Sequence, residues 1–315
     1  MNAPKMIALG GDASAVQAAV KHCYSTWGTS YYQDYYGPDA PYPPVHLDLV
    51  RRIVDDIAPT RLLDAGCGPA SMLRHLCAEG RETYGFDLTP EMVEEARRVM
   101  GGLGVPGAHV WEGSVLEPED FLPPGGAGAE FDCTVCCGVL PHIPAETDAA
   151  CIANILASLR PGGYAVVEAR NELFSLFTLN RYSHQLFMQS LVPVNALRLA
   201  ASNAGEVSGL EQGLRQVERM FRTDLPAVRK GKEAEPGYDE VLSRVHNPLV
   251  LREQFLRGGF DEVRLAYYHF HCLPPMVQAL APQAYREASL AMEANPEDWR
   301  GLFMASAFFI VARRA

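Results

Sequence analysis

The chain has 315 residues, 48% of them apolar, enough to bury one sizeable core with a subdomain attached. With 38 acidic against 27 basic side chains the net charge is −11, which argues against a nucleic-acid-binding protein. No run reaches the roughly 20 apolar residues that span a bilayer, and eight cysteines set in apolar patterns read as buried thiols of a reducing, cytoplasmic protein.

Residues 1–11 carry one lysine and are too short and irregular for a signal peptide. A helix follows over 14–28, with Val16, Ala19, Val20, Cys23 and Trp27 roughly on one face. Tyr31, Tyr32, Tyr35 and Tyr36 then crowd a short loop, and the prolines of 38–44 rule out a continuous helix there. The tyrosines read either as a strap packed on the domain or as a lid over a ligand, since each has an apolar ring and a polar tip. A helix over 45–58 turns Val45, Leu47, Leu49, Val50, Ile53 and Ile57 inward.

From Thr60 strands and helices alternate. Strands are expected at 61–65, 82–87, 107–112, 131–137 and 164–169, and helices at 69–79, 90–100 and 145–159, the last stopped by Pro161-Gly162-Gly163. This rhythm indicates an α/β fold with a parallel sheet covered on both faces. It breaks after Asn171: residues 172–222 are largely helical in pattern and 223–247 polar, too long together for a plain connection. The basic run Arg229-Lys230-Gly231-Lys232 within them reads as a solvated loop. A helix at 248–257, a strand at 262–270, a helical stretch at 275–294 and a strand at 305–312 complete the chain. The expected organisation is an N-terminal helix and aromatic lid (1–44), a core (45–171), a helical cap insertion (172–247) and a segment completing the sheet (248–315).

Leu63-Asp64-Ala65-Gly66-Cys67-Gly68-Pro69-Ala70-Ser71 joins the first strand to its helix through a tight glycine turn. A dinucleotide site would want a third glycine where Ser71 stands, and an acid ahead of the first glycine would repel a pyrophosphate. An ammonium-bearing ligand suits Asp64 better. Asp87 closes the second strand, where a nucleotide ribose is gripped in such sheets, and a carboxylate accepts from both ribose hydroxyls at once. With Glu112-Gly113-Ser114-Val115 after the third strand, Gly138-Val139-Leu140-Pro141-His142 after the fourth and Leu159-Arg160-Pro161-Gly162-Gly163 before the fifth, the chain resembles the class I S-adenosylmethionine (SAM) methyltransferases over about 45–171 and 248–315.

That resemblance implies a Rossmann-like, doubly wound, mostly parallel seven-stranded sheet, with the lid at the N-terminus and the cap after strand five. It implies SAM as cofactor, S-adenosylhomocysteine as product, and Asp64, Gly66, Gly68, Asp87, Leu88, Ser114, Val115 and Cys137 as cofactor contacts. Ser114 stands where the family often has an acid that contacts the adenine amino group, so its hydroxyl or the backbone would take that contact. Methyl transfer from a sulfonium is an in-line displacement that needs alignment and exclusion of water, and a base only if the acceptor must lose a proton. His142 is a candidate base or simply a loop histidine. Glu168 and Arg170 share a face of the fifth strand and either pair with each other or face the substrate. Tyr32, Tyr36, Asn171, Arg181 and His184 are candidate substrate contacts.

No metal site is expected. Cys133, Cys136 and Cys137 alternate faces within a strand with no second ligand pair, and His269 and His271 lack a nearby carboxylate cluster. The expected activity is O- or N-methylation of a small metabolite, natural-product intermediate or sugar by a cytoplasmic enzyme with neither nucleic-acid nor membrane partners; a homodimer is compatible with it. The alternatives are C-methylation with Glu168 or His142 as base, a noncatalytic SAM-binding regulator and a nicotinamide-dependent oxidoreductase.

Overall fold

The computed structural model describes residues 12–25, 30–37, 45–126, 130–224 and 241–315. Trp27, the prolines of 38–44 and the basic run 229–232 lie outside the described residues. Two compact units emerge, one made of residues 1–170, 229–268 and 307–315, the other of 171–228 and 269–306. This division differs from the expected one at two points. The described parts of the N-terminal segment group with the core, and residues 269–306 join the insertion after strand five, whereas 241–247 belong to the core.

The first unit begins with α1 (Ala13–Ser25), α2 (Ser30–Tyr36) and α3 (Val45–Ile57). The tyrosine segment is therefore helical, not a loop. Then come β1 (Arg61–Ala65), α4 (Leu73–Leu76), β2 (Glu82–Asp87), α5 (Pro90–Gly101), β3 (Val110–Glu112), β4 (Phe131–Cys136), α6 (Asp148–Ser158) and β5 (Leu159–Arg170). The second unit carries α7 (Phe174–Thr178), α8 (Arg181–Leu186), a π turn (Phe187–Leu191), α9 (Val194–Ala200) and α10 (Ala204–Glu218). The chain continues through α11 (Pro248–Arg257), β6 (Phe260–Phe270), α12 (Pro282–Met292), α13 (Gly301–Met304) and β7 (Ala305–Arg314).

The seven strands form one sheet in the order β3-β2-β1-β4-β5-β7-β6. β1 to β5 pair parallel with one another, and β7 pairs antiparallel with β5, from Tyr164 opposite Arg313 to Arg170 opposite Ala307. Order reverses between β1 and β4, where a crevice opens at the carboxyl ends of the strands. The central strands are apolar on both faces, as covered parallel strands must be: Leu62, Leu63, Ala65, Val135, Val166 and Val167 are fully buried or nearly so. Each buried Leu or Val contributes about 1.5–3 kcal/mol.

A buried carboxylate fixes the opposite, amino-terminal edge of the sheet. Asp132 accepts from the Thr60 N–H (2.8 Å), the Thr60 hydroxyl (2.6 Å) and the Arg61 N–H (2.9 Å), pinning the start of β1 to β4. Burial alone would raise its pKa, but these bonds, with Arg160, hold it below the usual range. Pro161-Gly162-Gly163 does not end α6, which stops at Ser158; it lies inside β5, where Gly162 has φ +79° and the β4–β5 register shifts between Phe131 and Cys133. A bulge of that kind wants a residue without Cβ.

Candidate active site

The turn after β1 is stitched to the end of β2. The N–H groups of Gly66 and Cys67 both donate to the Phe86 carbonyl, at 2.8 and 2.9 Å. Gly66 has φ +86°, and a Cβ there would lie 2.3 Å from Val139 Cγ2, so only glycine suits this close approach. Gly68 (φ +50°) donates its N–H to Asp87 Oδ2 at 2.8 Å, and Thr89 donates to Oδ1 at 2.9 Å. Ala70 is also left-handed, at φ +57°, which delays the helix: only the single turn of α4 forms, in place of the expected helix over 69–79. Pro69 thus sits in the turn, not at a helix start.

Two carboxylates face this turn from adjacent strands. Asp64 is 2% exposed, and burial together with the charge of Asp87 pushes its pKa up to about 7. Burial also raises Asp87, against the lowering effect of the Thr89 and Gly68 N–H groups. Among the described residues no cation is bonded to either. Close by, the Ser71 hydroxyl is buried without a hydrogen-bond partner. Such a pair of acids and an orphaned hydroxyl call for a ligand with positive charge and hydrogen-bond donors.

The cleft they line holds about 970 Å³ of empty space, counting space open to solvent. Its wall brings together every residue expected to contact a cofactor: Asp64, Gly66 and Gly68 from the turn, Asp87 and Leu88 from the end of β2, Ser114 and Val115 after β3, and Cys137 after β4. At the β3 end α1 closes over it. Gln17 Nε2 donates to Ser114 Oγ at 2.9 Å, and Lys21 pairs with Glu112 at 3.0 Å. At the β4 end stand Val139, His142, Tyr24, Tyr31 and Tyr36.

His142 is buried, 7% exposed, between two partners. Its Nδ1 lies 2.7 Å from the Leu242 carbonyl, and its Nε2 3.2 Å from the Tyr24 hydroxyl. A carbonyl can only accept, so Nδ1 carries the proton and Nε2 presents a lone pair. Burial, with the nearby charge of Arg170, pushes its pKa down to about 4, and the ring is neutral. Leu242 is held in place by the next residue but one. Arg244 is buried with Asp148 at 2.5 Å, and its guanidinium also donates to the Ile143 carbonyl at 2.7 Å.

Other candidates are engaged elsewhere. Glu168 accepts from the Gly138 N–H at 2.7 Å through one oxygen and from the Tyr268 hydroxyl through the other, so it ties the turn after β4 and strand β6 to β5. Arg170 bonds to the Ser243 hydroxyl, so of the two alternatives the Glu168–Arg170 pairing is not the one formed. Asn171 is 2% exposed and directs its amide nitrogen at the carbonyls of Gly301, Leu302 and Ala305, at 2.8–3.1 Å, which makes it a clamp of the second unit. Arg181 and His184 also belong to that unit, where the His184 ring packs on Phe221. Tyr32 stacks on Tyr36 and beneath the Arg74 guanidinium, 3.9 Å from the ring centre, with its hydroxyl on His75. Only Tyr36 of the expected substrate contacts lines the cleft.

The sequence reading missed Gln17, Tyr24 and the orphaned hydroxyl of Ser71, while Tyr31 belonged to the expected aromatic lid. Gln17, Val20 and Tyr24 fall at i, i+3 and i+7 and share one stripe of α1, a signal that was present in the spacing. Among the described residues no three His, Cys, Asp or Glu side chains come together as a metal site. Burial raises the Cys133 thiol to about 12 and raises Cys137 also, and a hydrogen bond with Cys151, together with burial, raises Cys136, which keeps all three protonated.

Comparison with known proteins gives a consistent picture. Residues 63–165 match the model of a methyltransferase domain. A ubiquinone biosynthesis O-methyltransferase of Xylella fastidiosa (strain M23) is 33% identical over 155 residues, 48% of this chain and 59% of that protein. One of Xanthomonas oryzae pv. oryzae (strain PXO99A) is 30% identical over 141 residues, 43% and 53% respectively. The chain thus spans little more than half the length of these curated relatives. The solved structure of magnesium protoporphyrin IX methyltransferase from Synechocystis PCC 6803, with S-adenosylhomocysteine bound, superposes with a TM-score of 0.51 at 14% identity over 95% of this chain and all of that one. Residues 63–165, which hold the glycine turn, thus match a methyltransferase domain, and the mostly parallel sheet around them shares the fold of a solved methyltransferase.

Proposed function

We propose that this protein transfers a methyl group from SAM to a small-molecule acceptor, at oxygen or nitrogen, in the cleft over β1, β2 and β4. The observation that carries this reading is the pair of acids, buried Asp64 and half-buried Asp87, on either side of the Gly66–Gly68 turn. Asp64 would hold the ammonium group of the cofactor and Asp87 the two ribose hydroxyls, while the orphaned Ser71 hydroxyl would find a partner. Gly68, with nothing within 4 Å of where a Cβ would stand, leaves room for a ligand against the backbone. The cofactor supplies a methyl group already activated on a sulfonium.

The chain's own residues then align the acceptor and take its proton. The wall of Tyr24, Tyr31 and Tyr36 offers ring faces to a flat or cationic acceptor. His142 Nε2, with Nδ1–H fixed on Leu242, is the one neutral base of that wall and can take a proton directly or through the Tyr24 hydroxyl. An acceptor hydroxyl or amine fits such a base; the ubiquinone biosynthesis relatives are named as O-methyltransferases, and we favour oxygen. The net charge of −11 supports a discrete metabolite over a nucleic acid. Among the described residues no helix is long and apolar enough to cross a membrane.

Calorimetry with SAM on wild type and Asp87→Ala tests the assignment. Two hydrogen bonds to a carboxylate predict a loss of at least about tenfold in affinity. Equal affinity in the two proteins would show that the ribose is held elsewhere.

A further inference from the structure

We propose that Gln17, on the helix that closes over the cleft, reads the nucleobase of the cofactor and is the residue that selects adenine. This rests on the reading of the cleft as a SAM site. Sheet order fixes where the base must go. Strands run β3-β2-β1-β4 across the cleft, each about 4.8 Å from the next. A ligand whose ammonium meets Asp64 on β1 and whose ribose meets Asp87 on β2 therefore carries its base to the end of β3. There Val20, Leu88, Met92 and Val115 make an apolar slot suited to a flat ring.

The edge of that ring needs polar partners, and an inventory of the acceptors leaves few. Ser114 Oγ has two lone pairs, and both are used, by Gln17 Nε2 at 2.9 Å and by the Leu116 N–H at 3.1 Å. Ser114 thus cannot accept from an exocyclic amino group, although its own hydroxyl proton is free to donate. Asp120 is turned to the backbone, where Oδ2 accepts the Ser114 N–H at 2.8 Å. Glu112 is half exposed and paired with Lys21. Gln17 remains: its Oε1 and second amide N–H carry no bond among the described residues, and the residue lines the cleft. An amide presents an acceptor beside a donor, the complement of the amino group and adjacent ring nitrogen of adenine. The bond from Nε2 to Ser114 holds that amide in one orientation.

Calorimetry on the full chain tests this with S-adenosylhomocysteine and its deaminated analogue S-inosylhomocysteine, in which an oxygen replaces the amino group. Wild type is expected to prefer the adenine form by about tenfold, the worth of a hydrogen bond made in one case and an unpaired group in the other. Gln17→Met, which keeps the side chain's length, and Gln17→Ala should weaken binding of the adenine form about five- to tenfold and leave the inosine form within twofold, so that the preference collapses. Asp87→Ala should weaken both ligands alike and leave the preference intact. A preference that survives both Gln17 variants would overturn the proposal while leaving the cofactor assignment standing. If wild type binds neither ligand, the cofactor assignment itself fails and the role of Gln17 falls with it.

Discussion

Asp64 sets the pH behaviour of the site. Its pKa is about 7 in the folded protein, against an ordinary value of 3.8, so between these values the native state holds a proton that the unfolded chain has released. By linkage the stability this group contributes is full below about pH 4 and is lost as pH rises through 7. A cationic ligand needs the opposite charge state, so SAM should bind more tightly as pH rises through 7. Thermal unfolding of the ligand-free protein and calorimetric titration with SAM, each from pH 5.5 to 8.5, should thus show opposite slopes. Asp64→Asn should flatten both, and a parallel response in wild type would refute the assignment. Glycine makes a second contrast at this scale. Gly66→Ala combines φ +86° with a 2.3 Å clash against Val139 and should cost about 2 kcal/mol or more, read by urea denaturation. Gly68→Ala meets no atom within 4 Å and should cost about 1 kcal/mol, from its φ of +50° alone; its added methyl occupies space proposed for the ligand, so its larger effect should be on SAM affinity.

Among the elements, the short segment 241–247 depends on one buried ion pair. Arg244 and Asp148 are each under a tenth exposed, and Arg244 also bonds the Leu140 and Ile143 carbonyls. Removing one partner leaves the other charge buried alone, so Arg244→Met should destabilise the protein by about 3 kcal/mol. It should also free the Leu242 carbonyl, so that nitrogen-15 NMR of His142 would change from one tautomer to a mixture. A single unchanged tautomer would mean that something other than Arg244 fixes the ring. The strands and the turn between β1 and β2 were legible in sequence because apolar runs bounded by glycine are local signals. The length of α4 was not, since nothing in Pro69-Ala70-Ser71 announces a left-handed alanine. The tyrosines read as a loop because the prolines beyond them dominated, yet Ser30–Tyr36 is helical. Glu168, Arg170 and Asn171 looked functional because they are polar at a strand end, but their partners come from β6, Ser243 and the stretch 301–305, which no local pattern reveals. Gln17 and Tyr24 meet the site across 97 and 118 residues of sequence.

For the molecule as a whole, the half of the cleft proposed for the methyl donor was written in contiguous motifs, while the half proposed for the acceptor is assembled from α1, α2 and the returning segment at 242. The eight cysteines test the packing globally. All are free, five are buried and three, Cys77, Cys137 and Cys272, are partly exposed. Ellman's reagent should therefore react promptly with at most three thiols in the native state and with eight in guanidinium; a count above three would show a looser core. One of the three, Cys137, lines the cleft, and SAM should slow its labelling.

β7 is the last strand along the chain but sits between β5 and β6. A nascent chain that has completed β6 still presents two apolar strands with unpaired backbone edges, each a template for pairing with another molecule. Only when Ala305–Arg314 emerges can it slot in antiparallel and seal both at once. The period between those events is when this protein is most exposed to aggregation, and its yield in cells should respond to chaperones that shield unpaired strands more than to changes at the site itself.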